Sequence, residues 1–175
     1  LFTLFGQNVE KEIQTQLILV ENGGQVILPE GVSKIKGTLS LEGKENVMVI
    51  HTTLVPVVGA VGEQKTKPTQ HSVKELQGLG IRPDIIVGRS STKLEEDIAT
   101  KIAFFADIPR ECVISAPDAR SIYDVPMVFL EQKLPELVEK RLGLKPKKPN
   151  LKDWKDFADR ISNGNKTVEI ALIGK

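Results

Sequence analysis

The residues best suited to chemistry lie in the stretch 62–72, where two lysines, two threonines and a proline precede a run typical of a helix. Pro68 fixes its own φ and restricts Lys67 toward extended backbone, so the lysines stand on a stiff segment. Thr69 is the expected N-cap of a helix over residues 70–79. A helix N-terminus offers free N–H groups and a partial positive charge, so the stretch favours an anion such as phosphate. A solvated basic turn is the alternative that these residues leave open.

Length and composition point to a single globular domain. The chain has 175 residues, of which 40% are hydrophobic and 27% charged, enough for a core and a charged surface. Its net charge of +1 lacks the field that general nucleic-acid binding requires, although a local anion site remains open. No apolar run approaches ~20 residues, and the first residues lack a basic segment followed by an apolar one, so we expect a cytoplasmic protein.

Two other reactive residue types favour structural roles. Cys112 is the single cysteine and lies in an apolar run, which favours a buried structural thiol over a nucleophile and excludes an intrachain disulfide. His71 falls in the first turn of the predicted helix with no acid partner in view. We therefore expect a capping or solvated histidine rather than a catalytic base.

Strands and helices alternate along the chain, which predicts parallel βαβ units and an α/β fold with a layered sheet flanked by helices. Predicted strands cover residues 16–20, 47–50, 84–89, 113–115 and 168–173. Predicted helices cover residues 70–79, ended by Gly80, a segment opened by a Thr92–Glu95 capping box with Leu94, Ile98, Ile102 and Phe105 on its buried face, residues 127–132, residues 134–142, ended by Gly143, and a segment capped by Asn150. Arg89 ends the strand 84–89, where it would hold either phosphate or the surrounding structure.

Several strings around and after the lysine stretch occur together: KTKPTQHSVKEL, GIRPDIIVGRS, KIAFF, SAPD and SIYDVP, in that order. In sequence and order they closely resemble the amidoligase domain of CTP synthase, with few gaps from about Asn46 to Lys175. The resemblance implies a P-loop-NTPase-like fold of the dethiobiotin-synthetase type, with a layered parallel sheet.

The resemblance also implies a reaction, the ATP-dependent amination of UTP to CTP by a ligase that forms a C–N bond. ATP phosphorylates the O4 oxygen of uracil, and ammonia released from glutamine displaces the phosphate at C4. The implied cofactor is Mg²⁺, with ATP as co-substrate and CTP as feedback inhibitor. The implied assembly is a homotetramer whose interfaces form nucleotide sites, without nucleic acid or membrane partners.

The family's site residues carry over where its motifs match. The pyrimidine nucleotide, UTP or CTP, would be bound by Lys65, Thr66, Lys67, Pro68, Thr69, Gln70 and Lys101, and ATP by Pro117, Asp118 and Ala119. Glu21 would bind the metal, since Val20–Gly24 matches the family's V-E-x-G-G strand end and Mg²⁺ accepts carboxylates. No catalytic residue is assigned. Taken without the family, Lys101 is a solvent lysine, Asp118 belongs to a simple turn, and a surface charge is the equal alternative for Glu21.

The resemblance weakens after Gly24. Residues 25–30 read Q-V-I-L-P-E where the family has T-V-G-D-I-E, and residues 31–43 also look unlike it. The chain contains no G-x-x-x-x-G-K-[ST] phosphate loop and no glutaminase-like cysteine nucleophile. We therefore expect residues 1–144 to be a partial amidoligase domain that is inactive alone, residues 145–166 a linker and linker helix, and residues 167–175 the first strand of a glutaminase domain otherwise absent.

Two other functions stay open. One is a non-catalytic module that binds CTP or UTP for regulation or assembly, with the divergent amino-terminal part having lost its chemistry. The other is a ligase of the dethiobiotin synthase type, which shares the general fold but lacks the KTKPTQ string and should not bind CTP.

Overall fold

The computed structural model describes the backbone of residues 2–5 and 15–16, and the backbone and side chains of residues 36–37, 39–59, 62–164, 169–171 and 173. The strands are β1 (Phe2–Phe5), β2 (Thr15–Gln16), β3 (Val47–Leu54), β4 (Val57–Val58), β5 (Glu63–Gln64), β6 (Ile85–Ser90) and β7 (Val113–Pro117). The helices are α1 (Lys67–Gly78), α2 (Glu96–Ala106), α3 (Val125–Glu131), α4 (Leu134–Leu142) and α5 (Lys152–Ser162). Residues 36–37 and 39–42 are also helical, and short 3₁₀ turns cover Lys44–Asn46, Arg110–Cys112 and Ile122–Asp124.

Five strands form one sheet in the order β2–β1–β3–β6–β7. The strands β3, β6 and β7 run parallel, which confirms the predicted α/β class with helices on a parallel sheet. β1 is antiparallel to both of its neighbours, a pairing that the weakly patterned residues 1–16 did not predict. The predicted strand 16–20 lies outside the described residues except for Gln16, which ends β2.

Apolar side chains cover both faces of the three parallel strands, as expected for strands that are buried on each side. Ile86 contributes to the core cluster formed with α1 and α2, whereas its neighbour Val87 contributes to the cluster on the opposite face with α3 and α4. Successive strand residues point to opposite faces, so one strand supplies both cores. The sheet is therefore the middle layer of three.

Helix α2 differs from its prediction in one residue of its buried face and in the way that it begins. Leu94, Ile98 and Ile102 are buried as predicted, but Phe105 is 38% exposed, and alanines including Ala99 complete the buried face. Phe105 therefore lies at the margin of the buried face of α2 rather than within it. The capping box is also wrong, because α2 begins at Glu96 and the Glu95 N-cap makes no side-chain capping bond.

The carboxyl-terminal part forms fewer regular elements than predicted. Helices α3 and α4 match the predicted positions, with Gly143 at φ 62° ending α4. Asn150 Oδ1 accepts a 3.2 Å hydrogen bond from Lys152 N at the start of α5. The predicted buried strand 168–173 is wrong in its described part, where Ile170 and Ile173 are 81% and 96% exposed and belong to no strand. A strand is defined by hydrogen bonds to a neighbouring strand, and none of the described strands pairs with this segment.

Cys112 lies at the end of a 3₁₀ turn and is partly buried, where the sequence predicts a buried structural thiol. Burial, followed by the charge of Glu111, raises the pKa of the Cys112 thiol. A thiol that stays protonated is a poor nucleophile, which supports the structural role. Among the described residues, no helix has the length and apolar composition needed to cross a membrane.

Arg141 on α4 ties three elements at the amino-terminal ends of the parallel strands. Its Nε donates to Asp84 Oδ1 over 2.6 Å, and its Nη2 donates to the carbonyls of Lys44 and Val47 over 2.7 and 3.0 Å. The second oxygen of Asp84 accepts from Val49 N over 2.7 Å. One guanidinium thus links α4 to β3 and to the start of β6.

His51 links β3 to α1 from inside the protein. Its ring is 5% exposed, and its Nε2 lies 2.8 Å from Ser72 Oγ in the second turn of α1. Burial lowers the pKa of His51 to about 4, because the charged imidazolium would lose its hydration. The neutral ring is therefore the form that the folded state accommodates.

We expect Arg141→Leu to lower the free energy of unfolding by about 2–3 kcal/mol, because it leaves a partly buried carboxylate and two carbonyls without a partner. The control is Arg82→Leu, which removes an exposed 3.6 Å pair with Asp107 and should cost no more than about 0.5 kcal/mol. Hydrogen exchange of the β3 and β6 amides measures both. Equal losses for the two variants would contradict the role given to Arg141.

We expect stability to fall as the pH drops from about 6.5 toward 4, because the unfolded state binds a proton on His51 that the folded state does not. A shift of this size corresponds to at most about 3 kcal/mol. His51→Gln, which can still bond to Ser72, should flatten this part of the pH profile, whereas the exposed His71→Gln should not. An unchanged slope in His51→Gln would show that another group causes the pH dependence.

Candidate functional site at the carboxyl edge of the parallel strands

Three loops meet where the parallel strands end. The strand register pairs Leu54 of β3 with Arg89 of β6, and Arg89 in turn with Ala116 of β7. The segments that begin at residues 55, 91 and 118 therefore leave the sheet at the same edge. In open α/β sheets this carboxyl edge is the usual place for a ligand crevice.

The KTKPTQ stretch leaves this edge on a hairpin. Strands β4 and β5 pair antiparallel, with Val57 opposite Gln64, and Lys65 N donates to Pro56 O over 2.9 Å. Val55 N donates to Arg89 O over 2.7 Å, which fastens the base of the hairpin to β6. Residues 57–58 and 63–64 are therefore the two strands of a β-hairpin whose base is attached to the sheet.

Helix α1 begins earlier than predicted, at Lys67, with Thr66 as its N-cap. Thr69 is not a cap but a buried residue of the first turn, and its Oγ1 donates to Leu54 O over 3.0 Å. Pro68 belongs to the helix, since a proline in the first turn needs no N–H partner. This placement overrides the extended geometry predicted for Lys67.

The polar side chains of the stretch surround the helix N-terminus. Lys65 is 46% exposed and pairs with Glu63 over 2.6 Å, whereas Lys67 is exposed and has no carboxylate partner among the described residues. Gln70 Nε2 donates to Thr66 Oγ1 over 3.1 Å, and the Thr66 side chain makes no capping hydrogen bond to the helix backbone. Two lysines at an uncapped helix N-terminus make a positive region suited to an anion.

The loop after β7 is held by Arg89. Its Nη1 donates to Ala116 O and Pro117 O over 2.6 and 2.9 Å, and its Nη2 donates to Asp118 Oδ1 over 2.9 Å. These bonds give Arg89 a structural role, which is one of the two roles that its position at the end of β6 left open. Asp118 and Ala119 remain exposed at the same edge as the lysine stretch.

Lys101 lies apart from these loops, on the exposed face of α2. Its Nζ is 3.2 Å from Asp97 Oδ2, and the hydrogen bond from Lys101 lowers the pKa of the Asp97 carboxyl. No described contact joins Lys101 to the KTKPTQ stretch.

His71 has the exposure predicted for a solvated side chain. It is 75% exposed, and its Nε2 lies 4.0 Å from Glu75 Oε1.

The predicted metal ligand Glu21 lies outside the described residues. Within the described part of the chain, no group of three or more His, Cys, Asp or Glu side chains is close enough to hold a metal ion. The described residues therefore assign no ligand to Mg²⁺.

Two residues near the site were missed from the sequence, His51 and Gln64. Gln64 is 3% exposed and bonds to the segment before α2, and His51 is buried under α1. His51 directly follows an apolar strand, and this position was the local signal that could have predicted its burial. Nothing local distinguishes Gln64 from an ordinary hairpin glutamine, because its partners lie about 30 positions further along the chain.

Comparison with known proteins identifies the family. The family model described as the CTP synthase N-terminus matches residues 5–144. The match begins well before Asn46 and spans residues 25–43, so it extends further toward the amino terminus than the resemblance from about Asn46.

Full-length relatives agree with this match. The CTP synthase of Desulfitobacterium hafniense (strain Y51) is 42% identical over 170 residues, covering 95% of this chain and 32% of the relative. That of Synechococcus sp. (strain JA-3-3Ab) is 43% identical over 172 residues, covering 97% and 32%. That of Thermococcus gammatolerans is 44% identical over 162 residues, covering 91% and 30%. The chain spans about a third of the length of these curated relatives, and it belongs to the CTP synthase family.

Proposed function

We propose that the protein carrying this chain converts UTP to CTP with ATP and ammonia derived from glutamine, and that these residues bind the nucleotides. The observation that carries the proposal is the KTKPTQ stretch at the N-terminus of α1, on the carboxyl edge of the parallel strands, where the lysines Lys65 and Lys67 are exposed. The names of the relatives support the same activity. The proposed fold is the P-loop-NTPase-like amidoligase fold of the dethiobiotin-synthetase type.

The proposed reaction has two steps that balance. ATP transfers its γ-phosphoryl group to the uracil O4 as the N3–H proton is released, which gives ADP and a phosphate ester. Ammonia then attacks C4, the C4–O4 bond breaks, inorganic phosphate leaves with O4, and the incoming nitrogen loses one proton to become the 4-amino group. No described residue is assigned to proton transfer, so the proposed work of this chain is binding and orientation.

Lys65, Thr66, Lys67, Pro68, Thr69 and Gln70 are the proposed contacts to the pyrimidine triphosphate. A triphosphate replaces the Glu63 carboxylate as the partner of Lys65, since the exposed pair is weak and a ligand of higher charge competes for the ammonium. Lys67 needs no such exchange. The partial positive charge of the α1 N-terminus adds to both lysines.

Pro117, Asp118 and Ala119 are the proposed contacts to the adenine of ATP. Arg89 fixes one oxygen of Asp118, and this support holds the loop in place for the backbone of Ala119 and the second carboxylate oxygen to meet the edge of a base. A loop held by an arginine loses little freedom when a ligand binds. ATP would bring Mg²⁺ with it, and Glu21 remains the proposed protein ligand of the metal.

Lys101 fits the proposed pyrimidine site only through assembly. It lies on the exposed face of α2, as does Phe104, which is 90% exposed. In the proposed homotetramer, Lys101 of one copy reaches the triphosphate held by the KTKPTQ stretch of another. Its pair with Asp97 would be exchanged for phosphate, as at Lys65.

We expect Lys67→Ala in the full-length gene product to raise the KM for UTP about tenfold or more, since a charge-assisted contact to phosphate is lost. Lys74→Ala is the matched control, because Lys74 is exposed on α1 but about 10 Å further along the helix. Ammonia- and ATP-dependent formation of CTP measures both. An unchanged affinity for UTP in Lys67→Ala would refute the site, and a folded wild-type protein that makes no CTP would refute the enzyme.

We expect Asp118→Ala to raise the KM for ATP about fivefold while the KM for UTP stays within twofold, because the loop held by Arg89 is loosened. Asp153→Ala, an exposed change on α5, should alter neither value. Equal changes for both nucleotides would place Asp118 outside an ATP-specific site. Binding of CTP or UTP without conversion would instead favour the non-catalytic regulatory or assembly module.

A further inference from the structure

Gln64 is the last residue of β5 and directly precedes Lys65, yet its side chain points into the protein and is 3% exposed. Its Nε2 donates to Thr92 Oγ1 over 3.0 Å and to Lys93 O over 2.8 Å. Its Oε1 accepts from Glu95 N over 3.0 Å. Both the amide nitrogen and the amide oxygen of Gln64 are therefore hydrogen-bonded to the segment that leads into α2.

That segment is itself fixed to the sheet. Leu94 is 7% exposed, and its backbone N–H donates to Ser115 Oγ of β7 over 2.9 Å. The Leu94 side chain lies close to the backbone of Gly88, where an added Cβ would approach its Cδ1 within 2.8 Å. The segment that Gln64 bonds to is thus itself packed and hydrogen-bonded against the sheet.

The lysines that follow Gln64 depend on its position. Lys65 is the next residue, and Lys67 begins α1 two residues later. The other bonds of the hairpin run to β6 at Val55 and within the hairpin itself, so Gln64 is its described side-chain link to the segment 92–95. A shift of the hairpin of about 1 Å would move both ammonium groups relative to a bound phosphate.

We propose that Gln64 is a positioning residue for the pyrimidine nucleotide. Its side chain holds the β4–β5 hairpin, which precedes the KTKPTQ lysines, against the segment 92–95, so that the two loops at the carboxyl edge move as one unit. This inference rests on the proposed function for the identity of the ligand. Gln64 itself does not contact the nucleotide, because its amide is buried and fully bonded within the protein.

The test uses three variants of the full-length protein. Gln64→Met removes all three hydrogen bonds and keeps a side chain of similar length that tolerates burial. Thr92→Val removes only one partner at an exposed position, and so remains informative if Gln64→Met does not fold. Gln77→Met is the matched control, since Gln77 also joins α1 to α2, through Ala106 O over 3.3 Å, at the far end of both helices.

We expect Gln64→Met to raise the KM for UTP on the order of tenfold, and Thr92→Val about two- to threefold, with kcat within twofold of wild type in each. Gln77→Met should leave both constants within twofold. The double variant Gln64→Met/Thr92→Val should have the same KM for UTP as Gln64→Met alone, because the hydrogen bond between the two side chains is already lost in the single variant. An unchanged KM, a loss confined to kcat and melting temperature, or additive effects of the two changes would overturn the inference.

Hydrogen exchange separates this inference from the proposed function, since it needs no substrate. In Gln64→Met the amides of residues 62–66 and 92–95 should exchange faster together, while those of β3 and β7 keep their protection. Faster exchange in only one of the two segments, or in neither, would refute the coupling even in an active enzyme. If the amides of both segments exchange faster in a protein that makes no CTP, the coupling between the segments stands and the proposed substrate is wrong.

Discussion

Parallel pairing of β3, β6 and β7 is the constraint on which the candidate site depends. Because the three strands share a direction, their carboxyl ends release three loops at one edge, and residues far apart in the chain become neighbours there. The core clusters on both faces of the sheet keep this alignment. At the opposite edge, Arg141 secures the strand starts with hydrogen bonds to Asp84 and to two carbonyls.

The basic stretch gains its stiffness from contacts beneath it and not only from Pro68. Thr69 bonds to the last carbonyl of β3, and Ser72 bonds to the buried His51. These two bonds fix the first two turns of α1 on the sheet, while Lys65 and Lys67 remain exposed. An anion site needs charged side chains on a backbone that is already held in place, since a preorganised site loses little entropy on binding.

Of the four cations given a role in the proposed nucleotide sites or in their support, all but Lys67 pair with a carboxylate among the described residues. Lys65 pairs with Glu63, Arg89 with Asp118, and Lys101 with Asp97, in each case between partners exposed by 46% or more. Exposed pairs of this kind are worth about 0–1 kcal/mol, so a polyphosphate can displace a carboxylate at small cost. The Arg89 pair differs, because two carbonyl bonds also hold the guanidinium and leave it with a structural task.

The sequence by itself determined the α/β class, the three parallel strands, most helices and the family. Continuous apolar runs and helical periodicity are local properties, and the KTKPTQ string is recognisable without a fold. Only the tertiary structure decided where α1 and α2 begin, that Gln64 rather than a capping box serves the start of α2, and that His51 is buried. It also decided that β1 pairs antiparallel and that residues 169–171 and 173 join no strand. Each of these depends on partners far away in the chain, and hydrogen bonds between distant segments leave no periodic pattern in either one.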